Sequence, residues 1–124
     1  MEKWIYLMIG GLTGTAARYG LTGLVSQKAG AGFPWGTIAV NIAGCFLVGF
    51  LDVFLGKKFS LSPQYRLLLM TGFCGAFTTF SALMLETSQL LKSGGFLSAA
   101  GNVMISVGLG FAVLWLGAAI ADFI

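Results

Sequence analysis

Apolar residues fill four long stretches of the chain, roughly 4–26, 34–55, 64–91 and 95–121, with charged and glycine-rich segments in the gaps between them. As helices rising about 1.5 Å per residue, all four are long enough to cross a hydrocarbon layer about 30 Å thick. The pattern predicts an all-α integral membrane fold: four transmembrane helices forming a single domain over residues 1–124.

Inside these stretches, polar and small residues recur at helical spacing. In the first, Trp4 and Tyr6 suit an interfacial position, and Gly11, Gly14 and Arg18 fall on one face, so close helix approach and a cation share a side. Three readings of Arg18 stay open: snorkelling to the headgroups, contact with an ion, or a buried structural pairing. A glycine- and alanine-rich connection from Ser26 to Phe33 leads to Pro34, which suits a first helical turn. In the second stretch Thr37, Asn41 and Gly44 share a face. The Asn41 amide serves there either as interhelical glue or as a donor to an anion. Asp52 comes near its end, ahead of Gly56-Lys57-Lys58, and Ser60-Leu61-Ser62-Pro63 reads as a helix entry with Ser62 as N-cap.

The third stretch is the least regular. Unbroken from 64 to 91 it would be about 42 Å long, and its middle reads Gly72-Phe73-Cys74-Gly75-Ala76-Phe77-Thr78-Thr79-Phe80-Ser81. Two glycines and paired threonines lower helix propensity, and the hydroxyls compete for backbone groups. An interruption is therefore expected here, its backbone polar groups covered by a partner or a cavity. Beyond it Phe80, Leu83, Met84 and Thr87 lie on one face, either as packing or with a ring edge offered to an anion, and Glu86 is placed near enough to the span end to be hydrated. The fourth stretch carries Ser98, Asn102, Ser106 and Gly110 at successive i+4 steps, a packing seam with hydroxyls bonded to i−4 carbonyls or a donor-lined track. Trp115 and Asp122 mark its exit.

Composition agrees: 57% of residues are hydrophobic and 9% charged, too apolar for a soluble domain of 124 residues. The first stretch reads as a retained helix, because apolar character resumes after Arg18. The net charge of +3 is scattered and gives no basic, aromatic-interleaved surface, so no nucleic-acid partner is expected. With four spans, Lys3, Lys57, Lys58 and Arg66 lie on one side and Lys28 and Lys92 on the other, a bias small enough to permit insertion in both orientations. Cys45 and Cys74 fall inside spans and read as small packing residues; with no histidine, no zinc site is expected. Enzyme function is not expected either, since the carboxylates sit near span ends and no phosphate loop is present.

Gly36-Thr37-x-x-Val40-Asn41, the run from Gly72 to Ser81, and a glycine-rich first helix ending in Arg18 resemble the Fluc (CrcB) family of fluoride channels over essentially the whole chain. The resemblance implies an antiparallel, dual-topology homodimer in a bacterial cytoplasmic (inner) membrane, with two fluoride pores and a structural sodium ion at the dimer interface. By that match the backbone carbonyls of Gly75 and Thr78 hold the sodium ion. Asn41 lines the pore, and Phe80 is the first of two pore phenylalanines, the second falling at Leu83. Ser106 belongs to a polar track, with Asn102 where some members carry tyrosine and Gly110 where some carry serine; Arg18 matches a basic residue near the vestibule.

The leading expectation is thus a passive fluoride-selective channel lowering cytoplasmic fluoride, its partners being fluoride, lipid and a second copy of the chain. A small dual-topology drug–proton antiporter is the chief rival. That chemistry needs an acid within the first span, where this chain has Arg18 instead. A non-transporting assembly subunit is the third reading.

Overall fold

The computed structural model describes residues 1–59 and 61–124. Helix α1 covers Glu2–Ala29, and α2 covers Trp35–Val53 and runs on through a wide π-helical turn at Phe54–Lys58. The third helical span, Pro63–Lys92, is in two pieces. Its first half, α3, starts as α-helix at Pro63–Arg66, widens to π-helix over Leu67–Cys74 and closes with Gly75–Phe77. Its second half, α4, is Phe80–Lys92. Helix α5 spans Phe96–Phe123, with a π-helical stretch at Ile105–Leu109.

Among the described residues, three helices are long and apolar enough to cross a membrane: Trp35–Lys57, Pro63–Lys92 and Phe96–Phe123. The first of the four expected spans does not join them, although α1 is 28 residues long. Glu2, Lys3, Arg18, Gln27 and Lys28, together with five glycines, dilute its hydropathy. The fold is accordingly all-α and multi-span, with one bent helix.

Glycines set the helix crossings. A Cβ on Gly10 of α1 would lie 2.9 Å from the Gly72 Cα of α3, and one on Gly14 would strike the Phe73 carbonyl. Gly11, expected on this face, meets nothing within 4 Å, so the seam is Gly10-Gly14 and continues to Arg18 in steps of four. Helix α2 lies as close to α5, where Gly49 faces the Leu114 carbonyl and Gly117 faces that of Phe46. Without lipid-to-water transfer to drive association, such backbone approach supplies the dispersion contacts that hold membrane helices together. The outward faces carry Trp4, Met8, Leu12, Phe111, Trp115 and Phe123, all exposed as a lipid-facing surface requires.

The helix entry at Pro63 is where it was expected, but Ser62 caps it differently: its side chain makes no capping bond, and its carbonyl accepts from the Tyr65 N–H at 3.0 Å. Ser60 lies outside the described residues. Exposed ion pairs tie helix ends together, Arg66 with Asp52 at 2.9 Å and Lys57 with Asp122 at 3.0 Å. Each contributes at most about 1 kcal/mol.

Candidate functional site

The interruption of the third span is narrower than expected. Gly72 and Cys74 are still helical and buried, and only Thr78 (φ −85°, ψ 156°) and Thr79 (φ −149°, ψ 114°) are extended. β-Branched side chains favour that conformation. Helix α2 supplies what the break needs. Asn41 Oδ1 accepts the Thr79 N–H at 2.8 Å, and Asn41 Nδ2 donates to the Thr79 carbonyl at 3.1 Å. The Ala82 N–H donates to Thr79 Oγ1 at 3.2 Å, capping α4. Gly44 lets α2 come this near, since a Cβ there would collide with Thr78 Cγ2.

These bonds also divert two donors from the helical ladder. In an unbroken helix each N–H closes on the carbonyl four residues earlier, so the Thr79 N–H would bond Gly75 and the Ala82 N–H would bond Thr78. Asn41 and the Thr79 hydroxyl take those donors instead. Gly75 is exposed, and a Cβ on it would meet nothing nearer than the Met70 carbonyl at 3.9 Å. Among the described residues no group of three or more His, Cys, Asp or Glu could hold a metal ion.

Beside the break is a cavity of about 290 Å³ into which Asn41, Cys45, Phe80, Leu83 and Ser106 project from three helices. Four of the six residues expected in a pore therefore meet here. Phe80 is 72% exposed, whereas Leu83 is only 4% exposed and forms the cavity wall. The amide of Asn41 has one N–H left after pairing with Thr79. Ser106, 8% exposed, has a buried hydroxyl with no partner among the described residues, so it is not bonded back to the preceding turn. The π-helical stretch at Ile105–Leu109 contains it, the kind of local widening that recurs at functional positions.

The other two expected residues are placed differently. Asn102, fully buried one turn before Ser106, does not line this cavity; its Nδ2 donates to Thr87 Oγ1 at 3.0 Å, and Thr87 Oγ1 donates to the Leu83 carbonyl at 2.7 Å. Asn102 Oδ1 is buried and unpartnered among the described residues. Ser98, first in the same stripe, is exposed. Arg18 is half-buried and takes part in neither ion pair found among the described residues.

Glu86, expected near enough to the span end to be hydrated, is half-buried and also meets a second helix. Its Oε1 accepts from the Thr37 hydroxyl at 2.6 Å, and its Oε2 is buried with no partner among the described residues. It borders a second cavity of about 440 Å³ with Ser26, Gln89 and Ser93. This pairing was missed because Thr37 and Glu86 are far apart in sequence; the shared face of Thr37, Asn41 and Gly44 was the available signal.

A family model described as CrcB-like protein, Camphor Resistance (CrcB), matches residues 5–118. The chain belongs to the CrcB family. Three relatives, each named a fluoride-specific ion channel FluC, show how closely. That of Methylocella silvestris is 40% identical over 120 residues, covering 95% of this chain and 92% of its own. That of Solibacter usitatus is 41% identical over 119 residues, 96% and 98%. That of Nitratidesulfovibrio vulgaris is 44% identical over 117 residues, 94% and 94%. These CrcB relatives are channels and not enzymes, and this chain is not an enzyme. Their bacterial origin and the apolar helices make it a multi-pass protein of the inner membrane.

Proposed function

We propose that this CrcB protein is a passive, fluoride-selective channel that lets fluoride leave the cytoplasm. The observation that carries the reading is the cavity beside the Thr78–Thr79 break, where the unpartnered Ser106 hydroxyl, the remaining Asn41 N–H and the Phe80 ring converge. Fluoride is small and strongly hydrated, so a path for it must replace water with donors and exclude carboxylates. Hydroxyl and amide hydrogens do that directly. The edge of a phenyl ring carries the positive end of its quadrupole and offers a weaker substitute. The matched relatives, named as fluoride-specific channels, support the same substrate.

The functional unit is an antiparallel dimer of four-span protomers with two pores. The backbone of the Thr78–Thr79 bend, with Gly75 exposed beside it, needs a covering surface that lipid does not supply, because unpaired peptide groups in hydrocarbon cost several kcal/mol each. The weak lysine and arginine bias would allow two opposed copies. A sodium ion between them would be held by the released carbonyls of Gly75 and Thr78 in each protomer, its charge offsetting part of the barrier to an anion nearby. Asn102 and Arg18 act at the approaches to the path.

Fluoride efflux from liposomes containing the purified protein, with chloride as control, tests the reading. Efflux of fluoride but not chloride, down a fluoride gradient with no proton gradient imposed, is the expected result. No fluoride flux would sink it, and flux driven only by a proton gradient would transfer the chain to the carriers.

A further inference from the structure

The polar stripe on α5 steps from Asn102 to Ser106 and then to Gly110, where it has no side chain. Gly110 is buried, and the atom that a Cβ there would meet is Cys45 Sγ of α2, at 3.3 Å. Cys45 itself is half-buried, lies one turn beyond Asn41, and borders the same cavity as the unpartnered Ser106 hydroxyl. The space left open on α5 is filled from α2 by a thiol. Cys74, the other thiol, is 1% exposed and does not border the cavity.

We infer that Cys45 is a wall residue of the anion path, its S–H the donor that follows Ser106 where Gly110 provides none, and that it is a site for thiol-directed block. The inference rests on the channel reading for its substrate but on Gly110, Ser106 and Cys45 for its geometry. A thiol is a weak donor and a soft, polarisable group, so it would pass a small anion without holding it tightly. The same sulfur can be modified by thiophilic reagents that hydroxyl-lined walls ignore, slowly while the half-buried thiol is protonated and faster at alkaline pH.

The test uses the full-length protein in liposomes and methyl methanethiosulfonate, whose sulfur is attacked by the Cys45 thiolate to leave a methyl disulfide on Sγ and release methanesulfinate. Labelling is followed by intact mass, with fluoride efflux measured in parallel. Treated wild type and Cys74→Ala should lose flux several-fold, and Cys45→Ala should be insensitive. Fluoride, and not equal chloride, should slow the labelling of Cys45. Without reagent, Cys45→Ala should conduct several-fold less than wild type, and adding Gly110→Ser in that background should restore the lost flux, because removing Sγ makes room for a hydroxyl on α5. Normal conduction by protein shown to be labelled at Cys45, or labelling indifferent to fluoride, would overturn the assignment. If the untreated protein conducts no fluoride, the channel reading fails by itself, and the fluoride dependence of labelling still decides whether the thiol faces an anion site.

Discussion

Asn41 and Thr79 exchange two hydrogen bonds across helices: the Thr79 N–H donates to Oδ1 at 2.8 Å, and Nδ2 donates to the Thr79 carbonyl at 3.1 Å. One side chain thus replaces the partners that a continuous helix would have supplied to the N–H and the carbonyl of Thr79. Asn41 is both the lock on the break and, through its second N–H, a donor at the cavity.

Asn41→Ala strands a peptide N–H and carbonyl at a part-buried position, at a cost of about 1–3 kcal/mol. Fluoride efflux should drop about tenfold or more, equivalent to at least about 1.4 kcal/mol of barrier. Thermal unfolding in detergent should show the lower stability. Unchanged flux and unchanged unfolding would return Asn41 to simple packing.

Phe80→Ile should separate conduction from folding. The ring is 72% exposed, so the protomer loses little burial, while the cavity loses its aromatic edge. Expected is strongly reduced fluoride flux with the dimer mass unchanged by size exclusion with light scattering. A fully active Phe80→Ile channel would remove the ring from the path.

How much of this was legible beforehand depended on whether the information was local. Runs of apolar residues define the helices, and the threonines and glycines around Gly72–Ser81 betray an interruption, because propensity is a short-range property. Which glycine did what was not local. Gly72 reads as part of the break, yet it is the point where α3 crosses Gly10, and Gly10 rather than Gly11 forms that seam. Cys45 reads as filler until its neighbour Gly110 is known. Nothing local to Glu86 reveals that Thr37, on another helix, donates to it.

That pair gives a prediction of its own. Thr37→Val removes the donor from Glu86 Oε1 and leaves both carboxylate oxygens unpartnered, a change worth about 1–3 kcal/mol or more for a charged group. Thr37→Ser keeps the hydroxyl and should melt close to wild type. Equal melting of the valine and serine variants would mean that water already serves this carboxylate.

Gly75 tests the proposed cation site without disturbing the protomer. A Cβ added there meets nothing within the chain nearer than 3.9 Å and the position is exposed, so the side chain of Gly75→Leu can leave the backbone of an isolated copy without a clash at its first carbon. It would instead project where a second copy and a shared ion are proposed to sit. The expected outcome is a folded protein of unchanged helicity by circular dichroism that runs as a monomer, with no dependence of its assembly on sodium. Wild type, by contrast, should show dimer stability that rises with sodium and not with equal potassium, since binding to the assembled form alone stabilises it by mass action. A normal dimer from Gly75→Leu, with normal sodium dependence, would place the partner surface and the ion away from this bend.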